Sequence, residues 1–406
     1  MQLDFDLEAF IRAKVTRRAT SLLAQDLHQH DDALRARLAG RTVLVIGGAG
    51  SIGAAYIKAV LRFPIASLCV VDLNENGLTE LVRDLRSSAG LRVPDRLLTY
   101  PVGLGDRVFE KIVRQAGPFE VVANFAAHKH VRSEKDIFSI EAMLTNNVVR
   151  ARQLLELLAT RPPERFFCVS TDKAANPVNI MGASKKLMEE VILAFAGRVP
   201  ATTARFANVA FSNGSLPLGF LERLSRRQPW SCPRGIRRYF VSPQEAGELC
   251  LLASILGEAG SIFFPKLEAS RDLLAFTDVA QELLAALGLA ADLCGSEEEA
   301  RQKAAVWTPA CRKYPVYFFD SDTSGEKPDE EFVAHGEEPE LAHFAALGLI
   351  RPAQRRSLAE VDAIIGRLQT CLAREEVTKA EVVAVLREYL PTFAHIETGK
   401  QLDQRM

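Results

Sequence analysis

The stretch TVLVIGGAGSIG, residues 42–53, decides the fold. Its first five residues form an unbroken apolar run, as a strand buried on both faces of a parallel sheet requires. Glycines end the run, and AAYIKAVLRF beyond them reads as a helix. Glycines between a strand and a helix let backbone N–H groups and the positive end of the helix dipole approach a phosphate. A plain strand-to-helix turn is the other reading of the same residues.

The alternation continues outward. SLCVVDLNE reads as the next strand, GLTELVRDLRSS as a helix, RLLTYPV as a strand and RVFEKIVRQAG as a helix. VVANFAA (121–127), RFFCVSTD (165–172) and TTARFANVAF (202–211) supply three more strands between amphipathic helices. Strand and helix in regular turn predict an α/β fold, a doubly wound parallel sheet of Rossmann type. Ligands of such sheets sit beyond the carboxyl ends of the strands. The expected division is a helical arm at 1–39, with Leu7, Phe10, Ile11 and Val15 on a face that Leu22, Leu23 and Leu27 continue; a dinucleotide-binding domain at 40–210 with a return segment near 238–265; a substrate lobe at 211–237 and 266–339; and a helical C-terminal extension at 340–406. The amphipathic helices at both ends are expected to cover apolar surface or to form a homo-oligomer interface.

Composition bounds the function. Apolar residues make up 48% and charged residues 25% of 406, with a net charge of −1. These values are those of a globular enzyme and leave no broad basic surface for nucleic acid. Seven cysteines, at 69, 168, 232, 250, 294, 311 and 371, are scattered without a C-x-x-C pair, so reduced thiols are expected. The N-terminus carries acids among its apolar residues, unlike a signal peptide, and no apolar run approaches the roughly 20 residues of a membrane helix. Cytoplasmic residence and no membrane partner are therefore expected.

Asp72 follows the second strand near the offset of about 20 residues at which an acid receives the ribose 2′-hydroxyl of NAD, although an ordinary strand-end turn explains it too. Its carboxylate would repel a 2′-phosphate, and Leu73-Asn74-Glu75-Asn76 offers no arginine, so NAD is expected over NADP. Ser170-Thr171-Asp172-Lys173 follows the fifth strand, and Met181 and Lys185 beyond it share one helix face.

The segments GGAGSIG, NFAAHKHVRSEKD, STDKAANPVNIMGASK and RFANVAFSNGS, followed by RRYF, resemble the extended short-chain dehydrogenases that act as 4,6-dehydratases on N-acetylglucosamine linked to UDP or GDP. VVDLNENGLTELVRDLRSS, YFFDSDTSGEKPDEEF and HIETGKQLDQRM are most similar to the dehydratases of the legionaminic-acid pathway. The resemblance implies a lyase. Tightly bound NAD oxidises C4, water leaves across C5 and C6, and hydride returns to C6 to give a 4-keto-6-deoxy sugar. It implies Lys173 as the base at C5, with a pKa lowered by burial or by a cation such as Lys185, Asp172 as the acid at the C6 hydroxyl, and Thr171 as positioner of the C4 oxygen. Lys185 would hold the nicotinamide ribose. Met181 stands where most of the superfamily has tyrosine, and a thioether cannot take a proton, so core filling is its expected role.

For the cofactor, the resemblance implies contacts from Gly47, Gly50, Ser51, Ile52, Gly53, Asp72, Asn74, Leu104, Ala126, Asn146 and Lys185, with Leu104 or a backbone carbonyl serving where Gly103 replaces the usual acid. For the nucleotide-activated N-acetyl sugar it implies Lys129, His130, Asn208, Ser212, Asn213, Gly214 and Arg238; a solvated pair at Arg237 and Arg238 is the plainer alternative. His128 and His130 lack a third ligand nearby, so no metal is expected. His395, Glu397 and Lys400 share the resemblance without a role derivable from sequence. An epimerase or keto-sugar reductase on the same fold, or a sensor that binds without turnover, are the competing functions.

Overall fold

The computed structural model describes residues 5–320, 325, 327, 329–351 and 355–397. Six strands come first: β1 (Thr42–Ile46), β2 (Ser67–Val71), β3 (Arg96–Tyr100), β4 (Val121–Asn124), β5 (Arg165–Val169) and β6 (Ala201–Ala204). The chain then enters a smaller lobe through β7 (Asn208–Val209), β8 (Trp230–Arg234) and β9 (Arg237–Val241). It returns in β10 (Ile262–Pro265), revisits the lobe in β11 (Leu273–Ala275), β12 (Ala290–Leu293) and β13 (Lys313–Asp320), and closes with β14 (Pro339–Glu340) and β15 (Leu347–Ile350).

The main sheet runs β14-β15-β10-β6-β5-β4-β1-β2-β3, and seven of its strands are parallel. Their inner strands are buried on both faces, which is why they read as continuous apolar runs. The order reverses between β1 and β4, so a crevice opens beyond the carboxyl ends of those two strands. The expected doubly wound sheet is present; of the segment 238–265, Ile262–Pro265 joins it as β10, whereas the start of the segment pairs in the lobe as β9.

Three expected boundaries change. The run 202–211 is not one strand: β6 stops at Ala204, and β7 belongs to a three-stranded lobe sheet with β9 and β11. Among the described residues the 340–406 extension is helical over Leu358–Leu372 and Lys379–Tyr389 alone, and Leu347–Ile350 instead pairs antiparallel with β10. A four-residue apolar run has too little length to separate strand from helix by period. The N-terminal arm is likewise not one face. Phe10, Ile11 and Val15 enter the lobe's core, whereas Leu23, Leu27, Leu34 and Leu38 enter the core under the main sheet. Between the two halves Arg18 pairs with Glu245 at 2.8 Å and Asp272 at 3.1 Å. Both terminal extensions thus cover apolar surface of their own chain; the C-terminal helices complete the core on the sheet's other side. Among the described residues, no helix is long and apolar enough to cross a membrane.

Candidate active site

A cavity of about 470 Å³ occupies the crevice at the reversal of strand order. Gly47, Gly50, Ser51, Ile52 and Gly53 form one wall, with Asp72, Leu104, Ala126 and Asn146 around them. Gly47 has φ +75°, and a Cβ there would lie 2.5 Å from the Ala126 nitrogen. Only glycine satisfies both constraints. Gly50 caps the helix Ser51–Val60, whose first N–H groups open toward the cavity. We therefore expect Gly47→Ala to lose bound dinucleotide and to destabilise the fold by about 1–3 kcal/mol, read as cofactor content after purification and as the thermal midpoint. Normal cofactor content in that variant would refute this assignment of the glycine turn.

The Asp72 carboxylate accepts from the backbone N–H of Ala49 and of Asn74, each at 2.9 Å, which fixes it at the cavity wall. Asn74, expected at the cofactor, instead caps the helix Glu75–Ser87 by accepting from Gly77 N–H at 2.9 Å, and it does not line the cavity. Asp106 accepts from the Gly103 N–H at 2.6 Å, which brings a carboxylate beside Gly103, but Asp106 does not line the cavity.

A second cavity, about 610 Å³, lies between the main sheet and the lobe, and it shares Lys129, His130 and Gly214 with the first. A ligand reaching from one to the other passes these three residues. Lys129 Nζ donates to the Asn213 carbonyl at 3.0 Å, and Ser51 Oγ accepts from Asn213 N–H at 2.8 Å, which ties the lobe's loop to the glycine turn. Burial lowers the pKa of both Lys129 and His130. Asn208 and Arg238 line the second cavity, and Asn208 Nδ2 is buried with no hydrogen-bond partner among the described residues. Ser212 is buried beneath the loop and lines neither cavity. Arg238 is buried, whereas Arg237 is exposed and pairs with Asp329 at 2.7 Å, so the two arginines are not a solvated pair.

The turn after β5 enters this second cavity. Thr171 Oγ1 donates to Asp172 Oδ1 at 2.8 Å, and the same oxygen receives Lys173 N–H at 2.9 Å and Lys173 Nζ at 3.1 Å. Lys173 lines the cavity; Thr171 and the buried Asp172 do not. The turn lies on the start of the helix Ile180–Phe195, where a Cβ at Gly182 would come within 2.4 Å of the Lys173 carbonyl. A family model described as polysaccharide biosynthesis protein matches residues 43–308, which contain the first cavity's glycine turn and this lysine. The chain belongs to that family.

Relatives similar to the chain differ in length. An uncharacterized membrane protein of Methanocaldococcus jannaschii is 33% identical over 238 residues, 57% of this chain and 68% of its own. The capsular polysaccharide biosynthesis protein CapD of Staphylococcus aureus is 30% identical over 60% of this chain, which spans only 41% of CapD. Among solved structures, DesIV, a dTDP-glucose 4,6-dehydratase from Streptomyces venezuelae with NAD and TYD bound, matches with a TM-score of 0.55 at 18% identity, covering 86% of this chain and 97% of its own. The fold of the chain is that of DesIV, which holds NAD in its solved structure.

The remaining predicted residues divide between the core and the cavity walls. Met181 is buried in the core, its N–H donating to Glu134 Oε1 at 3.1 Å, so it packs rather than touching either cavity. Lys185 is also buried, with Nζ on the Val169 carbonyl at 2.6 Å and lining neither cavity; its pKa is lowered by burial. It does not supply the positive charge beside Lys173. That cation is Arg238, and it does not prevail: burial and Arg238 pull the Lys173 pKa down, but Asp172 and Glu330 outweigh them and leave it raised. The expected lowered pKa is thus reversed in the free protein. Asn146 lines the first cavity, but Asn147 is the buried clamp, accepting His128 N–H at 2.9 Å and donating to the His128 carbonyl and to Ser184 Oγ. A π-helical turn over Thr145–Val149 shifts the register and turns Asn147 inward.

Two groups escaped the sequence reading. Glu330 stands 3.5 Å from Lys173 Nζ and 3.8 Å from Arg238. Arg205, fully buried, holds Glu189 and Glu337 through paired hydrogen bonds and donates to the Phe332 carbonyl. The tail also gains a place: Ala394 and Ile396 N–H donate to the Pro177 and Val178 carbonyls, while His395 Nε2 lies 3.4 Å from Glu134. Glu397 pairs with Lys379, and Lys400 lies outside the described residues.

Proposed function

We propose that the chain is an NAD-dependent dehydratase of nucleotide-linked N-acetylglucosamine, converting UDP- or GDP-activated sugar to its 4-keto-6-deoxy form. The observation that carries the reading is Lys173, paired with carboxylates in a cavity that joins the dinucleotide crevice at Lys129, His130 and Gly214. A pyrophosphate fits the glycine turn, and Asp72 stands where a ribose 2′-hydroxyl would meet it and a 2′-phosphate would be repelled. When bound, NAD accepts hydride from C4 and returns it to C6.

The chain's own residues do the rest. Arg238 and the orphan amide of Asn208 face the sugar diphosphate from the lobe. Lys173 removes the C5 proton once its ammonium has passed a proton to the neighbouring carboxylate, a transfer over 3.1 Å. Thr171 holds that carboxylate in place. The fold alone suits an epimerase equally well, but an epimerase needs no carboxyl and amine pair to expel water.

The test is incubation of the purified protein with UDP- and GDP-N-acetylglucosamine in deuterated water, followed by NMR and mass spectrometry. A product lighter by one water and deuterated at C5 supports dehydration. Retained C6 hydroxyl with an inverted carbon means an epimerase, and unchanged sugar means a binding protein.

A further inference from the structure

Two carboxyl groups flank Lys173, and only one reaches the open space. Asp172 is 2% exposed and absent from the cavity wall; its Oδ1 is taken by three donors, and its Oδ2 is buried without a hydrogen-bond partner among the described residues. Glu330 lines the cavity with Lys173, Asn208 and Arg238. Its Oε1 lies 3.5 Å from Lys173 Nζ, and its Oε2 is buried without a hydrogen-bond partner among the described residues. An orphan carboxyl oxygen in such a place is costly unless it carries a proton or meets a ligand's hydroxyl. Burial raises the Glu330 pKa, and although Lys173 opposes it, the nearby Asp172 charge adds to the rise.

The chemistry asks for such a group. A 4,6-elimination must hold two protons at once, one from the C4 hydroxyl and one from C5, and then give one to the departing hydroxyl and the other back to C5. One lysine cannot store both, and Met181 is a thioether buried in the core. We propose that Glu330 is the carboxyl that meets the sugar, taking the C4 hydroxyl proton and delivering it to the C6 oxygen as that bond breaks, with Asp172 as the proton store behind Lys173. This rests on the dehydratase reading above.

The protons balance. The site starts with Asp172 and Glu330 ionised and Lys173 charged. Glu330 receives the proton of the C4 hydroxyl as C4 loses hydride to the nicotinamide, and Lys173 passes its own proton to Asp172. Neutral Lys173 takes the C5 proton; the C6–O bond breaks and water leaves with the proton from Glu330. Hydride returns to C6, Lys173 returns a proton to C5, and Asp172 gives its proton back to Lys173. Every side chain ends as it began.

The experiment compares wild type, Glu330→Gln and Glu330→Asp with whichever nucleotide N-acetylglucosamine wild type dehydrates, reading turnover, NAD content and the infrared band of a protonated carboxyl on mixing with sugar. We expect Glu330→Gln to keep its NAD and lose turnover by about 10²–10⁴-fold, with Glu330→Asp recovering at least tenfold over Gln. The carboxyl band seen in wild type should lose the Glu330 component in the Gln variant, leaving at most that of Asp172. Turnover of Glu330→Gln within threefold of wild type, or an Asp variant no better than Gln, overturns the proposal while leaving the dehydratase intact. If Glu330→Gln fails to fold, the band decides: its absence from wild type overturns the assignment. No dehydration by wild type with either sugar overturns both readings.

Discussion

Lys173→Ala is expected to lower turnover by about 10²–10⁴-fold, the usual worth of a positioned acid–base group, and to leave NAD bound. The second half follows because the dinucleotide crevice is built from the glycine turn, Asp72 and the loop after β4, and Lys173 does not line it. Alanine also leaves Asp172 and Glu330 as two buried carboxyls without their shared cation. Lys173→Arg separates the two effects. Arginine keeps the charge and the pairing, yet its guanidinium does not release a proton in proteins. It should therefore preserve stability and still be inactive. Turnover by either variant at the wild-type rate would remove Lys173 from the chemistry.

Arg205→Ala is expected to destabilise the protein by about 3–5 kcal/mol, because it takes the main counter-charge from Glu189 and Glu337 and leaves the two carboxylates to share Lys186. The measurement is the urea midpoint. Activity should fall as well, since Glu189 also accepts from Ser170 Oγ at 2.6 Å, one residue before the Thr171–Lys173 turn, and Arg205 holds the Phe332 carbonyl two residues past Glu330. The pH dependence has a definite sign. Burial alone would raise the Glu337 pKa, but Arg205, Lys186 and the Ala334 N–H depress it from 4.5 to about 2. A carboxylate depressed on folding stabilises above its unfolded value and loses that contribution as pH falls through its folded one. Wild-type stability should thus decline from about pH 4.5 toward 2, with a shallower decline in Arg205→Ala. Equal midpoints and equal slopes would mean that this buried network contributes nothing.

Much of this was legible in the chain. The apolar runs at 42–46 and 121–124 and the glycines between strand and helix announced the sheet, the crevice and its cofactor wall, because a buried parallel strand and a phosphate turn each impose their pattern on adjacent residues. The position of Lys173 after β5 was legible for the same reason. What misled was anything requiring a side chain's direction. Asn146 and Asn147 are neighbours of one type, and only the π-helical turn decides which points inward. Lys185 lies four residues from Met181 on one helix face, but that helix is buried nearly all round, so its amine turns to a strand carbonyl instead of a ligand.

The amino-acid order by itself determined the sheet, the glycine turn and the candidate lysine, since periodicity and turn chemistry act over a few residues. Only the tertiary structure brought Glu330 to Lys173, Arg205 to Glu337 and the tail at 394–396 to the loop at 177–178. Those pairs are separated by over a hundred residues, and an ion pair closed across such a distance imposes no period on the chain near either partner. Its energy depends on burial and geometry that the whole fold creates.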